Sequence, residues 1–451
     1  MTSAFTTFES FGLSSPLLHA VAELGFTAPT PVQLQAVPAA MKGGDWMVSS
    51  QTGSGKTAAF LLPVLERLLN AEVRAADRVA SPRAVVLCPT RELAQQVASD
   101  AIDLMRGVGS AMRVEGKQHP LREAVRNLRV STVVGGMPFG KQLFDLRGAS
   151  LVIATPGRLL DLHSRGQIRL DATEVLVVDE ADRMLDLGFA EDLAAIHEAT
   201  AQRGQTLMFS ATFAPRIMAL AAKVMRSPGR LELGSAHDVH ADITQTLHWA
   251  DNLSHKHKLL EHWLRDVDMD QALVFASTQI DTEALAEALQ QQGHSAVALH
   301  GAMPQAVRNR RLQGLRDGHV RVLVATDVAA RGLDVKSISH VINFGLPMKA
   351  EDYVHRIGRT GRAGRAGTAI TIAEHRERGK IRAIEAFTRQ PIIASEIAGL
   401  EPTPQRPRAP GSKPLPGQRH GQGRGRPAGG GGGFSGGRRE GGSRFGQRDG
   451  R

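Results

Sequence analysis

Short apolar runs of strand length alternate with longer stretches of helical period along most of this chain. In the first half the apolar runs lie at residues 46–48, 84–88, 130–134, 151–154, 175–178 and 206–209. In the second half they lie at residues 272–275, 296–299, 322–325 and 341–344. Apolar runs separated by helical patterns predict parallel sheets with helices on both faces. We therefore expect an α/β fold built from two such domains.

The pattern changes at two places along the chain. Residues 234–242 are polar and lack a clear period, so we predict a linker between a first domain at 1–233 and a second at 243–395. Residues 396–451 are rich in Pro, then Gly and Arg, and 16 of the 47 glycines follow position 400. This segment has too few apolar residues to offset the entropy of ordering, so we predict a disordered tail.

Charge is distributed unevenly between the body and the tail. The net charge is +10, and residues 401–451 hold 11 basic and 3 acidic side chains, which leaves +8 in the tail and +2 before it. A nearly neutral body with a cationic tail indicates a polyanionic partner.

Cysteine content and hydropathy bear on the compartment. The single cysteine, Cys88, excludes an internal disulfide and is typical of a reducing environment. It lies in an apolar run, so we expect a core residue and not a nucleophile. The start of the chain lacks a secretory signal pattern, and no apolar run approaches transmembrane length. We expect a cytoplasmic protein without a membrane partner.

The stretch M-V-S-S-Q-T-G-S-G-K-T carries the strongest chemical pattern, because a strand, a loop of small residues and a helix follow one another there. Its glycines let backbone N–H groups turn toward phosphate oxygens. Lys56 would reach the β- and γ-phosphates of ATP, and the Thr57 hydroxyl would bind Mg²⁺. A Gly-rich turn before an ordinary helix is the alternative, since Ser50 replaces the first Gly of the usual pattern. The predicted nucleotide contacts here are Ser50, Gln51, Thr52, Gly53, Ser54, Gly55, Lys56 and Thr57.

An acidic pair follows the apolar run V-L-V-V at the same predicted sheet edge. Asp179 could hold Mg²⁺ through water, and Glu180 could orient or deprotonate the attacking water. Either residue alone could be a helix cap. Together with the phosphate loop, the metal and base roles are favoured.

The upstream segment G-F-T-A-P-T-P-V-Q is stiffened by two prolines and ends at Gln33. The Gln33 amide can donate and accept at once, which suits the edge of an adenine base. Phe8 could stack on that base. A surface glutamine and a core phenylalanine are the alternatives.

The order of these motifs resembles the DEAD-box RNA helicases. The first half contains GFxxPTPxQ, TGSGKT, PTRELA, GG, TPGR, DEAD and SAT. The second half contains VFAST, HGxxxQxxR, ATDVAARGLD and HRIGRTGR, so the resemblance covers about residues 8–375. It implies an ATP-dependent RNA helicase with two RecA-like domains that unwinds or remodels short duplexes and ribonucleoproteins. The short basic tail resembles the RhlE type within the family.

The resemblance also implies roles for single residues. Arg359 and Arg362 would be arginine fingers on the γ-phosphate, a use that would explain a cluster of like charges. Asp334 would contact the nucleotide sugar. Coupling between the halves would involve Ser210, Thr212, His355 and Arg356. RNA contacts would map to Thr90, Arg91, Gly135, Gly136, Thr155, Gly157, Arg158, Gln305, Arg308, Thr326 and Asp327.

The residues implied to contact RNA lie in loops that bind phosphates and sugars largely through the backbone and do not read bases. We therefore expect little sequence specificity. Phe434 and Phe445, among glycines and arginines in the tail, suit single-stranded RNA, although a solubilising tail is the alternative.

We expect residues 107–127 to be a solvated insert, with an extra RNA contact as the alternative. An RNA clamp, an annealing chaperone and a DNA helicase remain open as other functions. Ribosomal or RNA-decay assemblies remain open as partners.

Overall fold

The computed structural model describes residues 7–50, 53–73, 79–115, 119–233, 242–330, 333, 335, 337–361 and 365–404. The predictions for Gln51, Thr52, Asp334 and Arg362, and those for the tail beyond residue 404, lie outside these ranges.

Seven strands in the described part of the first half form one parallel sheet in the order β3-β4-β2-β5-β6-β1-β7. The strands are β1 (Trp46–Ser50), β2 (Ala84–Leu87), β3 (Val130–Val133), β4 (Leu151–Ala154), β5 (Val175–Val178), β6 (Gln205–Ser210) and β7 (Gly229–Leu233). The helices are α1 (Ser15–Glu23), α2 (Pro31–Met41), α3 (Lys56–Leu69), α4 (Arg91–Glu115), α5 (Arg122–Asn127), α6 (Phe139–Leu146), α7 (Pro156–Ser164), α8 (Ala181–Asp186), α9 (Ala190–Ala199) and α10 (Pro215–Val224), after a 3₁₀ turn at Phe8–Phe11.

Six strands in the described part of the second half form another parallel sheet in the order β10-β11-β9-β12-β13-β8. The strands are β8 (Ile243–Ala250), β9 (Gln271–Phe275), β10 (Ala296–Leu299), β11 (Val322–Ala325), β12 (Ile338–Asn343) and β13 (Gly367–Glu374). The helices are α11 (Leu253–Leu264), α12 (Gln279–Gln291), α13 (Gln305–Arg316), α14 (Asp327–Ala330), α15 (Ala350–Ile357) and α16 (Arg378–Thr388), with a 3₁₀ turn at His375–Glu377.

Each sheet has apolar cores on its two faces, because the strands are buried on both sides. This confirms the predicted pair of parallel α/β domains. Each predicted strand is present, with its ends shifted by a few residues at most. Three strands were not predicted: β7, β8 and β13 mix polar and apolar residues, so they lack the continuous apolar run that marks the others.

Residues 107–115 correct one expectation, since they continue helix α4 and are not a solvated insert. Val108, Ala111 and Met112 are buried in this stretch. Gly107 lies against α1 so closely that a Cβ there would be 2.6 Å from the Ala20 Cβ. Helix α5 has no fully buried residue, although Val125 packs partly buried against the core.

Residues 396–403, which the sequence assigns to the tail, pack on the second half. Ile397 and Leu400 contact its core, and the backbone N–H of Thr403 donates to Asp251 Oδ1 at 3.0 Å. None of the helices in the described ranges combines the length and apolar character needed to span a membrane.

Candidate nucleotide and RNA site

The strand order of the first sheet separates the motifs into two groups. The adjacent strands β5, β6 and β1 end at the DEAD residues, the SAT residues and the phosphate loop. The adjacent strands β3, β4 and β2 end at the GG, TPGR and PTREL residues. Because parallel strands place their carboxyl ends at one edge, the two groups lie side by side there.

Gly55 is required in the phosphate loop both by its backbone conformation and by the lack of room for a side chain. Its φ is +93°, in the left-handed region where glycine is favoured. A Cβ there would lie 2.6 Å from Gln33 Nε2 and 3.0 Å from Thr30 Oγ1. Directly after it, the buried Lys56 begins helix α3 and donates from Nζ to the Ser50 carbonyl at 2.8 Å.

Gln33 uses both ends of its amide on the protein itself. Its Oε1 accepts from the Thr30 backbone N–H at 3.0 Å, and its Nε2 donates to the Gly55 carbonyl at 3.1 Å. The side chain is buried and lines the cleft described below. The amide therefore joins the proline-stiffened turn to the phosphate loop.

Phe8, which we expect beside the base, is buried in the core, and its contact with a nucleotide stays a prediction. Its ring packs edge-on against Phe11 at 5.7 Å and tilted against Phe26 at 6.3 Å. Phe26, which is partly exposed, lines the cleft. The only hint in the sequence was its position in the same stiff segment as Gln33.

Asp179 is buried, and Glu180 beside it is half-buried with a strained backbone. Burial, together with the nearby Glu180 charge, raises the pKa of Asp179 to about 7, although Lys56 opposes the shift. Glu180 has φ +51° and ψ +53°, a left-handed conformation that is uncommon outside glycine. Strain of this kind persists where surrounding structure imposes it, often at functional sites.

Asp182 connects the DEAD residues to the SAT residues, a role that sequence reasoning missed. Its Oδ2 accepts from the Ala211 N–H at 3.1 Å, while the Ala211 carbonyl accepts from Ser49 Oγ at 3.1 Å. Ser210 is buried, and its Oγ accepts from the Thr212 N–H at 3.4 Å. The ends of β1, β5 and β6 are thus hydrogen-bonded to one another.

One cleft of about 510 Å³ draws residues from both halves. Its lining includes Gln33, Gly53, Gly55, Lys56, Thr57, Asp179, Glu180, Leu333 and Arg359. Arg359 comes from the second half, where it is buried and donates to the Leu333 carbonyl at 2.9 Å and the His355 carbonyl at 3.2 Å. A guanidinium of one domain therefore shares a cleft with the phosphate loop and the acidic pair of the other.

His355 and Arg356 have different surroundings. Burial and the nearby Arg183 charge lower the pKa of His355 to about 3, so the ring is neutral near pH 7. Arg356 donates to both Asp327 carboxylate oxygens, at 2.6 and 2.7 Å, and its guanidinium lies 4.7 Å from the Phe275 ring centroid. These partners belong to the second half, so Arg356 organises that half and pairs with Asp327, one of the residues expected at RNA.

Polar pairs join the two halves directly. Arg183 Nη1 donates to Asp352 Oδ1 at 3.0 Å, and Arg308 Nη2 donates to Glu92 Oε1 at 2.7 Å. Further pairs join Arg91 to Gln305 at 3.2 Å, Arg216 to Glu351 at 2.9 Å and Lys349 to Asp186 at 2.6 Å. Sequence reasoning missed Arg183, Asp352 and Glu92, because nothing local indicates their partners.

The remaining residues expected at RNA lie mostly at one edge of each sheet. The Arg91 guanidinium covers Gly135 and Gly136, where a Cβ on Gly135 would be 3.1 Å from its Nη2. Thr90 is buried and accepts the Leu93 N–H at 3.3 Å, whereas Arg308 is buried in its pair with Glu92. The others follow strand β4 of the first sheet, follow strand β11 of the second sheet or begin helix α13: Thr155, Gly157, Arg158, Gln305 and Thr326.

Two parallel-sheet domains that share a phosphate-loop cleft, with an arginine supplied from the second, define a nucleoside triphosphatase with tandem RecA-like domains. Residues 30–220 match the DEAD/DEAH box helicase family, and residues 255–364 match the helicase conserved C-terminal domain. The chain belongs to the DEAD-box family of ATP-dependent RNA helicases, and it is an RNA-stimulated ATPase that couples ATP to RNA unwinding or remodelling.

Named relatives support this membership. The chain is 42% identical over 384 residues to the ATP-dependent RNA helicase RhlB of Pseudomonas syringae pv. tomato, covering 84% of this chain and 92% of that protein. It is 41% identical over 397 residues to the ATP-dependent RNA helicase DeaD of Escherichia coli, covering 88% of this chain and 59% of that protein. The RhlE-type assignment rests on the tail, outside the described residues, and stays a prediction.

Solved structures give the same result. S. cerevisiae Dbp5 bound to RNA and ADP BeF3 matches with a TM-score of 0.72 and 30% identity, over 85% of this chain and 93% of that chain. Mss116p bound to single-stranded RNA and AMP-PNP matches with a TM-score of 0.76 and 25% identity, over 89% of this chain and 82% of that chain.

Proposed function

We propose that the cleft between the halves is the ATPase site and that its assembly is the step that RNA controls. The observation that supports this is the shared lining: Lys56 and Glu180 come from the first half and Arg359 from the second. If RNA favours the joined arrangement, hydrolysis is slow until RNA is bound.

The phosphate loop binds the nucleotide in this proposal. Backbone N–H groups of residues 50–57 and the start of helix α3 hold the phosphates, and Lys56 exchanges its bond to the Ser50 carbonyl for phosphate oxygens. Phe26 and Gln33 lie at the base end, and Asp334 contacts the sugar. The Gln33 amide supports the loop through Gly55.

Oxygen donors beside the acidic pair fit a hard divalent cation. The cleft offers the Thr57 hydroxyl and the buried Asp179 carboxylate. Burial first, and then the Glu180 charge, raise the pKa of Asp179, and Lys56 offsets the shift only in part. Thr57 and Asp179, the latter through water, would hold Mg²⁺, which would neutralise charge on the phosphate oxygens.

Glu180 orients the attacking water and takes its proton, because its carboxylate lines the cleft beside the phosphate loop. Arg359, with Arg362, stabilises charge that develops on the γ-phosphate. An arginine finger contributes roughly 10³–10⁵ to the rate in related chemistry, enough to make assembly of the site the switch.

RNA lies across the carboxyl ends of β3, β4 and β2 and the matching edge of the second sheet. The first half contributes Thr90, Arg91, Gly135, Gly136, Thr155, Gly157 and Arg158, and the second contributes Gln305, Arg308, Thr326 and Asp327. Arg91 and Gln305, both assigned to this track, also contact each other across the two halves. Coupling to the ATPase site runs through Ser210, Thr212 and His355, with Arg356 holding the second half in shape.

The variant Glu180→Gln tests the proposal. It keeps the side-chain shape and removes the base, so it should bind ATP and RNA tightly with little turnover. ATPase activity is measured with and without RNA, and strand release is measured on a short duplex. Wild-type turnover in Glu180→Gln would remove Glu180 from the mechanism, and RNA binding without strand release in the wild type would favour a clamp.

We also propose a role for the tail, a class of partner and a cellular compartment. The cationic tail adds electrostatic contacts to RNA, and ribosomal or RNA-decay assemblies are the partners that fit such an activity. The single cysteine is typical of the reducing cytoplasm.

A further inference from the structure

The surface beside Arg158 carries an aromatic ring that the proposed mechanism does not use. Phe139 begins helix α6, three residues after Gly136, and 38% of it is exposed. The guanidinium carbon of Arg158 lies 5.2 Å from the ring centroid, and that of Arg165 lies 5.7 Å from it. A partly exposed ring therefore lies close to a residue proposed to hold RNA and to a second cation.

The two arginines are held in place by the protein. Asp161 Oδ2 accepts from Arg158 Nη1 at 2.6 Å, and Asp161 Oδ1 accepts from Arg165 Nε at 2.6 Å. Arg158 Nε also donates to Gln142 Oε1 at 3.2 Å, and Gln142 Nε2 donates to the Val134 carbonyl at 2.6 Å. This network fixes both guanidinium groups without covering the ring completely.

Arg165 is far more exposed to solvent than Arg158, so its guanidinium is accessible to a ligand. The Arg158 side chain is 19% exposed, whereas the Arg165 side chain is 62% exposed. Unpaired bases stack on aromatic rings and on guanidinium planes, and both surfaces are offered here within one short span. A contact that served only to join α6 to α7 would not need the open face of Arg165.

We propose that Phe139 and Arg165 form a stacking site for one base of the bound RNA strand, next to the nucleotides whose backbone Arg158 holds. This inference rests on the proposed RNA track. Since stacking strength grows with the size of the base, the site gives a modest preference for a purine at one position of the strand. The other proposed RNA contacts bind the RNA backbone and give no preference for a base.

The test is Phe139→Leu, which keeps an apolar side chain and removes the aromatic face. Binding of single-stranded RNA in the presence of a non-hydrolysable ATP analogue should weaken by about 5-fold or more, as for removal of one stacked base. Phe144→Leu is the matched control, because Phe144 is on the same helix, 71% exposed, with Arg147 6.0 Å from its ring. The control and Phe139→Trp should both retain wild-type affinity.

A strand scanned with single abasic sites locates the stacked base. In the wild type, one position beside the Arg158 contact should weaken binding most, and in Phe139→Leu that position should no longer differ from its neighbours. Equal affinities and equal abasic profiles in the two proteins would overturn the stacking site, provided that RNA still stimulates the wild-type ATPase. An absence of RNA stimulation in the wild type would instead overturn the proposed function itself.

Discussion

Arg183 and Asp352 form a buried ion pair that joins the two halves of the molecule, with Arg183 Nη1 3.0 Å from Asp352 Oδ1. Their side chains are only 6% and 8% exposed. Arg183 follows the DEAD residues on α8, and Asp352 lies on α15, which leads to Arg359. The pair therefore sets the position of Arg359, the proposed arginine finger, relative to the acidic pair.

Removing one partner should open the cleft. Each half has its own apolar cores, so Asp352→Asn should leave both halves folded and weaken their association. Breaking a buried ion pair on one side costs about 3–5 kcal/mol in proteins, so the joined state should be depleted at ordinary ATP and RNA concentrations. Energy transfer between one dye on each half, attached to introduced cysteines because Cys88 is buried, measures the joined population.

A double replacement separates charge from packing. Arg183→Met together with Asp352→Leu removes both charges and should recover part of the joined population, since the double variant leaves neither charge of this pair buried without its partner. A single variant that closes as well as the wild type would show that this pair does not set the domain arrangement.

Strain at Glu180 predicts a trade between stability and turnover. A left-handed backbone conformation costs a non-glycine residue about 1 kcal/mol or more, and Glu180→Gly relieves that strain. The same change removes a charge that raises the pKa of Asp179. We expect a higher urea midpoint for the first half and loss of ATP hydrolysis.

Ser227→Gly is the matched control for that variant. Ser227 also has a positive φ, +42°, but it is exposed and lies away from the cleft. It should gain stability with unchanged ATPase activity. A lower midpoint for Glu180→Gly would mean that contacts of the Glu180 side chain outweigh its backbone strain.

Gly55→Ala should disable the phosphate loop. The added Cβ meets Gln33 Nε2 at 2.6 Å, and a φ of +93° is unfavourable for alanine. Nucleotide affinity should fall by at least tenfold, measured by titration with a fluorescent ATP analogue. Gly109→Ala, in helix α4 with open space around it, should leave nucleotide binding unchanged and slightly raise stability.

Deleting residues 405–451 should weaken RNA binding without removing basal ATPase activity. Those residues hold 11 basic and 2 acidic side chains, a net charge of +9. The salt dependence of RNA affinity should become shallower by about 0.7 in log–log slope for each RNA phosphate that the tail neutralises in the full chain. An unchanged slope would show that the tail does not touch RNA. Ending the chain after Pro404 keeps the packed residues 396–403 in place.

The sequence by itself determined the chemistry that is local in the chain. The phosphate loop, the acidic pair and the two α/β halves could each be predicted, because each depends on residues within one strand and the loop that follows it. The same holds for Cys88, which is buried and whose thiol pKa is raised by that burial. The three missed strands lack the apolar run that carries this information.

The tertiary structure alone decided which of those local pieces meet. Strand order placed the DEAD, SAT and phosphate-loop residues on three adjacent strands. Packing placed Phe26 in the cleft. The pairs Arg183–Asp352 and Glu92–Arg308 join residues 169 and 216 positions apart. Side chains so distant in the chain meet only through the packing of whole domains, so no local pattern of hydrophobic and polar residues could have indicated them.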